Sequence, residues 1–160
     1  MTTSSTQPPL ADAAATGSSE EPLLAEAGGI FRVKCFLETG HAFVGWLDRY
    51  GDHYAGYTGS EDTPAGLRFT WYTWEMAWYL WDVDSLRGSA RYLGPNKVGD
   101  HNSAELNLWA WAAAIVYDRN GDQRFRLSNN PNRYCYAAGS GYVYWGDYGE
   151  ALQFEFVPAG

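Results

Sequence analysis

The aromatic residues of this 160-residue chain are confined to its last four-fifths. Residues 1–29 contain no aromatic residue, no Lys and no Arg, whereas 8 Trp, 12 Tyr and 7 Phe follow them. A segment of the first kind cannot bury enough apolar surface to offset the entropy it loses on ordering. We therefore predict a disordered acidic tail at 1–29 and a single globular domain at 30–160, since one hydrophobic core is efficient at this length.

Charge and cysteine content narrow the class of protein. Eleven Lys and Arg against 19 Asp and Glu give a formal net charge of −8, which disfavours a nucleic-acid partner because such a partner needs a basic surface. Cys35 and Cys135 allow at most one disulfide. The sequence has no run of 18 apolar residues and no signal-peptide pattern, so we expect no membrane span and a cytoplasmic location.

Several segments alternate between apolar and polar residues, as strands do. The segment from Phe31 to Leu37 places Phe31, Val33 and Cys35 on one face, which predicts a strand. The segment Leu67 to Val83 is aromatic on both faces, which favours a pair of strands covered on both sides. The same alternation predicts strands in three further segments, 41–47, 53–58 and 142–157.

A helical period replaces this alternation in the middle of the domain. Asn102 followed by Glu105 has the spacing of a capping box, and apolar residues recur at helical spacing over 104–117. Asn130 and Pro131 have the residue types of an N-cap and a first helical position, which predicts a second, short helix. The resulting prediction is an α+β fold, with an antiparallel sheet from 31–100 and 142–157 packed against one long and one short helix.

Two histidines stand in a suggestive order. His41 and His53 are separated by twelve residues across a predicted turn, and the predicted helices follow them. This order resembles the permuted, histidine-first branch of the papain-like amidase and acyltransferase superfamily, the branch that includes lecithin:retinol acyltransferase. The resemblance implies a papain-like α+β fold in which His41 is the general base and His53 the second polar residue of the catalytic site.

The expected nucleophile is missing from its usual position. In that family an Asn-Cys-x-x-(Phe/Tyr) signature opens the nucleophile's helix, where the helix N-terminus lowers the pKa of the thiol. Aligning Asn130 and Tyr134 with this signature places Pro131 where the cysteine should stand. Cys135 lies four residues further on, so a shift of register would make it the nucleophile. Otherwise the nucleophile is lost.

The density of aromatic residues, about one in five after residue 29, predicts a Trp-rich pocket. We expect a small cofactor-independent enzyme that acts on an apolar small molecule, by acyl or amide chemistry or by a shape-guided cyclisation, with His41 as base or hydrogen-bond donor. No His or Cys pair has the spacing of a metal site, so we expect no metal. The candidate substrate-binding residues are Trp46, Tyr57, Trp74, Trp78, Trp109 and Tyr134.

Two other functions remain open at this point. Aromatic and glycine-bearing segments recur about every forty residues, which is similar to a β-trefoil and favours a carbohydrate-binding module. The predicted capping box and the alanines at 110 and 112–114 favour a helix and disagree with an all-β fold. The third possibility is a catalytically inactive pseudoenzyme that binds a partner.

Overall fold

The computed structural model describes residues 29–85, 91–95, 103–109, 112–119, 124–130, 133–138, 141–147 and 149–159. Of the predicted tail, residues 1–28 lie outside the described residues. The strands, in chain order, are β1 (Phe31–Leu37), β2 (Phe43–Tyr50), β3 (Tyr54–Thr58), β4 (Phe69–Trp74), β5 (Ala77–Asp82), β6 (Arg91–Pro95), β7 (Ala104–Asn107), β8 (Val116–Arg119), β9 (Phe125–Asn130), β10 (Arg133–Ala137), β11 (Val143–Gly146) and β12 (Glu150–Pro158).

The predicted α+β fold is wrong, and with it the papain-like architecture. Strands make up 64% of the described residues and helical turns 4%, and this part of the chain has no helix of seven residues or more. The longest described helical piece is the 3-10 turn Thr39–His41. The domain is almost entirely β.

The predicted long helix over 104–117 is replaced by strands β7 and β8. All four residues of β7 are buried, and the strand pairs with β6 through Tyr92 opposite Asn107. With only four residues, β7 is too short for its alternation to stand out against the helical spacing of the apolar residues around it. Long-range strand pairing has overridden the local capping signal.

The short helix predicted after Pro131 is also wrong. Residues Arg133–Ala137 form β10, which pairs with β9 on one side and with β11 on the other. Pro131 itself lies outside the described residues. Asn130, the predicted N-cap, is instead the last residue of β9.

The strands predicted from period-two alternation are confirmed, with shifts of a few residues at their ends. The prediction at 53–58 corresponds to β3, and the pair predicted within 67–83 is β4 and β5. The turn between β4 and β5 is the dipeptide Glu75 and Met76, because Trp74 pairs with Ala77.

Seven antiparallel strands close into a barrel. The order β1, β2, β3, β7, β6, β5, β4 is continuous, and Phe31 of β1 pairs with Phe69 of β4 to complete the ring. Closure leaves the ring without a free edge. The remaining strands extend the sheet from β1, through β12, which pairs with β1 along seven residues.

Three hairpins meet at one end of the molecule. They are β2 with β3, β6 with β7, and β10 with β11. One β-bridge forms between each two of these hairpins, so there are three bridging residue pairs. The pairs are Tyr54 with Glu105, Gly56 with Tyr142, and Ser103 with Tyr144.

The larger of two core clusters receives residues from almost every strand. Trp71 and Trp145 are the largest side chains in it, each 1% exposed. The indole Nε1 of Trp145 donates a hydrogen bond of 3.1 Å to the carbonyl oxygen of Gly94, so even this ring has a polar partner inside. This rigid interior holds the three hairpins in fixed relative positions.

Candidate functional site

The two predicted catalytic histidines lie at opposite ends of the β2–β3 hairpin. His41 precedes the start of β2, whereas His53 precedes the start of β3, and antiparallel pairing places Trp46 of β2 opposite Thr58 at the end of β3. An eight-residue strand is about 25 Å long. The hairpin therefore separates the two imidazoles instead of bringing them together.

His41 itself is exposed at the end of the 3-10 turn. Its backbone has φ 57°, in the left-handed region, and its Nδ1 lies 3.0 Å from Oε1 of the buried Gln153. This contact ties the turn to β12. The surroundings are those of a residue that anchors a turn.

Cys135, the candidate nucleophile, is a buried residue of β10. Burial raises the pKa of its thiol well above the ordinary value, and the neighbouring Cys35 raises it further. Cys35 is fully buried too, and its pKa is raised by the same loss of solvation. Both thiols are free, and both stay protonated near neutral pH, whereas a nucleophile must be a thiolate.

Four of the six predicted substrate-binding residues are engaged in separate structural contacts. Trp46 is 1% exposed and donates from Nε1 to the carbonyl oxygen of Ser60. The Tyr57 hydroxyl donates to the carbonyl oxygen of Ala138, 3.1 Å away. Two further contacts complete the set, Trp78 edge-on to Trp71 and Tyr134 beneath the guanidinium of Arg126.

Trp74 and Trp109, the other two predicted substrate-binding residues, lie next to each other. Their ring centroids are 6.1 Å apart in an edge-on arrangement. The Trp109 ring also meets the rings of Tyr72, Tyr79 and Tyr92. We call these five aromatic residues the Trp109 cluster.

A second aromatic group, which the sequence did not reveal, lies where the three hairpins meet. Tyr50 stacks on Tyr142 with centroids 5.5 Å apart, and Tyr142 lies 6.5 Å from Tyr54. The His53 ring stacks on Tyr54 at 4.5 Å. Tyr50 is 44% exposed and the other three are half-buried. We call Tyr50, His53, Tyr54 and Tyr142 the tyrosine row.

Gly56 permits the close approach that assembles this row. A Cβ at Gly56 would lie 2.8 Å from the carbonyl oxygen of Gly141 and 2.9 Å from the Cβ of Tyr50. Any larger residue would push β3 away from the segment that carries Tyr142. The row therefore depends on a glycine at position 56.

A buried carboxylate lies next to the row. Glu105 of β7 is 0% exposed and is the strand partner of Tyr54. Its Oε1 accepts a hydrogen bond of 3.2 Å from the Asn107 amide, and its Oε2 lies 3.6 Å from Nε2 of His53. Within the described part of the chain, Oε2 has no hydrogen-bond partner. A buried carboxylate oxygen in this state is a strong acceptor that is not yet used.

The backbone fixes the position of this carboxylate. The Leu106 amide donates to the carbonyl oxygen of His53 across 2.6 Å, so β7 and the turn before β3 are held together. The site thus combines flat aromatic faces with an acceptor and an imidazole on a rigid support. Such a combination suits recognition of a ligand by stacking and hydrogen bonding.

The sequence singles out His53 but not the tyrosines or Glu105 of this site, for an identifiable reason. Tyr50 and Tyr54 flank a Gly-containing turn, which was a visible signal, but Tyr142 is about ninety residues away. Glu105 was assigned to a helix cap. The contacts between hairpins that join them leave no local pattern in a sequence.

Comparison with models of known protein families, with curated proteins and with solved structures finds no match for this chain. Among the described residues, no helix is long and apolar enough to cross a membrane. The same residues contain no group of three or more His, Cys, Asp and Glu side chains that could hold a metal ion.

Proposed function

We propose that this chain is a carbohydrate-binding module whose ligand stacks on the tyrosine row. The observation that carries the proposal is the partly exposed stack of Tyr50 and Tyr142, which continues through Tyr54 to Glu105, whose Oε2 accepts no hydrogen bond in the described part of the chain. A sugar presents an apolar ring face to an aromatic ring and hydroxyl groups at its edge. Aromatic faces with a few fixed polar groups suit such a molecule.

The arrangement of the strands supports a β-trefoil form of this proposal. Strands β1–β4, β5–β8 and β9–β12 are three consecutive units, and the middle two strands of each unit form one of the three joined hairpins. Within the second unit, the Ile115 amide just before β8 donates to the carbonyl oxygen of Trp78 in β5, 2.7 Å away, which joins the last strand of that unit to its first.

Binding without catalysis agrees with the placement of the predicted catalytic residues. His41 and His53 are at opposite ends of one hairpin, and the Cys135 thiol is buried and protonated. A nucleophile and its base must come within hydrogen-bond reach of each other. The row instead offers recognition groups alone.

The direct test is an oligosaccharide array probed with the full chain, followed by titration calorimetry with a sugar that binds. We expect Tyr142→Ala and Tyr50→Ala each to weaken binding about tenfold, because one stacking contact contributes about 1 kcal/mol or slightly more. Tyr142→Phe keeps the aromatic face and should stay within about threefold of the wild type.

Tyr134→Ala is the matched control. This tyrosine is half-buried like Tyr142, but it carries the guanidinium of Arg126 over its ring instead of another tyrosine. It should leave the affinity unchanged. The proposal would be contradicted if no sugar bound on the array. It would also be contradicted if Tyr134→Ala weakened sugar binding as much as Tyr142→Ala does.

The Trp109 cluster favours a second candidate function, the binding of an apolar aromatic small molecule. Trp81 stacks on Tyr92, a member of the cluster, and in the described part of the chain the Trp81 Nε1 and the Tyr92 hydroxyl are buried without a hydrogen-bond partner. A ligand with one acceptor group would satisfy such a donor. A change in tryptophan emission on adding apolar ligands, lost in Trp109→Leu, would support this second function.

A further inference from the structure

The environment of Glu105 restricts the kind of sugar that the tyrosine row can take. Its side chain is 1% exposed, and a buried carboxylate is stable only when groups of opposite charge or hydrogen-bond donors surround it. The Asn107 amide supplies one donor, to Oε1. No donor in the described part of the chain reaches Oε2 at hydrogen-bond distance, so this oxygen can still accept hydrogen bonds.

The side chain that faces Oε2 is held only weakly there. The distance of 3.6 Å from Nε2 of His53 exceeds that of a hydrogen bond. The His53 side chain is 31% exposed, so solvent reaches one part of the imidazole while another part faces the carboxylate. Rotation of this side chain would give a ligand access to Oε2 without disturbing a strand.

The aromatic rings near Glu105 favour a positively charged ligand, as the carboxylate does. Tyr54 is the strand partner of Glu105, and Tyr142 and Tyr50 continue the row from it. The faces of such rings attract cations, and a carboxylate attracts them more strongly. Neither group favours a neutral hydroxyl over an ammonium.

We propose that the sugar bound at the tyrosine row carries a free amino group. Its ammonium donates to Glu105 Oε2 in the place where the His53 imidazole now lies, while the sugar ring stacks on Tyr142 and Tyr50. The proposal rests on the proposed carbohydrate-binding function and makes it specific: an amino sugar binds better than its N-acetylated or neutral counterpart.

The experiment compares two ligands of the same length, a tetramer of glucosamine and a tetramer of N-acetylglucosamine, by titration calorimetry at physiological ionic strength. We expect the wild-type chain to bind the glucosamine tetramer at least tenfold more tightly. Glu105→Gln keeps the shape of the side chain and should reduce this preference to within about twofold. The control Glu75→Gln removes the same charge from the exposed β4–β5 turn and should keep the preference.

The outcomes separate this proposal from the proposed function. Equal binding of both tetramers by the wild type would overturn the amine proposal and leave carbohydrate binding in place. Binding of neither tetramer, with no other sugar bound on the array, would overturn both. A preference that survives in Glu105→Gln, or that disappears equally in Glu75→Gln, would show that the overall charge of −8 is responsible and would overturn the role of Glu105.

His53→Ala provides a second test that keeps the Glu105 carboxylate. The change removes an imidazole whose side chain is partly exposed, so the strands around it should be unaffected. We expect this variant to bind both tetramers more weakly, because the ring that stacks on Tyr54 is lost, and to keep the tenfold ratio between their affinities. Loss of the preference would mean that His53, and not Glu105, recognises the sugar, and would overturn the proposal.

Discussion

Burial decides what each polar side chain in this domain can do. The Cys35 and Cys135 thiols are enclosed by apolar neighbours, and removal from water raises the pKa of both. Glu105 is equally buried but lies between Asn107 and the half-exposed His53. The thiols are therefore part of the core, whereas the carboxylate is within reach of the surface.

The thiols of Cys35 and Cys135 should react slowly in the folded domain. Their raised pKa keeps them protonated as the pH rises to 8, so we expect a thiol reagent such as Ellman's reagent to label them only as fast as the native chain opens. Both should react at once in denaturant, and His41→Ala should not change the native rate. Fast labelling of Cys135 that requires His41 would instead indicate an activated nucleophile.

Among the elements, the hairpins position the residues of the tyrosine row. Backbone strain is found in the turn of the β4–β5 hairpin. The β4–β5 turn places two non-glycine residues at positive φ, Glu75 at 50° and Met76 at 66°. A two-residue turn of this kind prefers Asn-Gly, because these residues adopt positive φ at little cost. Met76 is 99% exposed, so its side chain contributes no packing.

Relief of this strain should stabilise the domain. The double change Glu75→Asn and Met76→Gly is expected to raise the free energy of unfolding by about 1 kcal/mol and the melting temperature by about 3 to 5 °C. Thermal unfolding followed by circular dichroism measures this directly. Glu75→Ala with Met76→Ala is the control, since alanine gains nothing at positive φ, and a lower melting temperature in the Asn-Gly variant would contradict the assigned turn.

Over the whole molecule, the alternating segments were predictable and their assembly was not. Strand β1 follows from the alternation of Phe31, Val33 and Cys35, because one face of that strand meets the core. Strand β7 does not follow from the sequence, because its alternation spans only four residues, too few to separate a strand from a helix by periodicity. The contact of Tyr142 with Tyr50 depends on the joining of two hairpins, which no local pattern records.

The most direct test of binding at the meeting point of the hairpins is a titration followed by amide chemical shifts, with an oligosaccharide selected on the array. We predict that the amides of Tyr54, Gly56 and Tyr142 shift as the sugar is added, while those of Trp74 and Trp78 stay in place. Shifts confined to the Trp109 cluster, with the amides of the tyrosine row unchanged at saturation, would contradict binding at the tyrosine row and would assign the sugar to the Trp109 cluster.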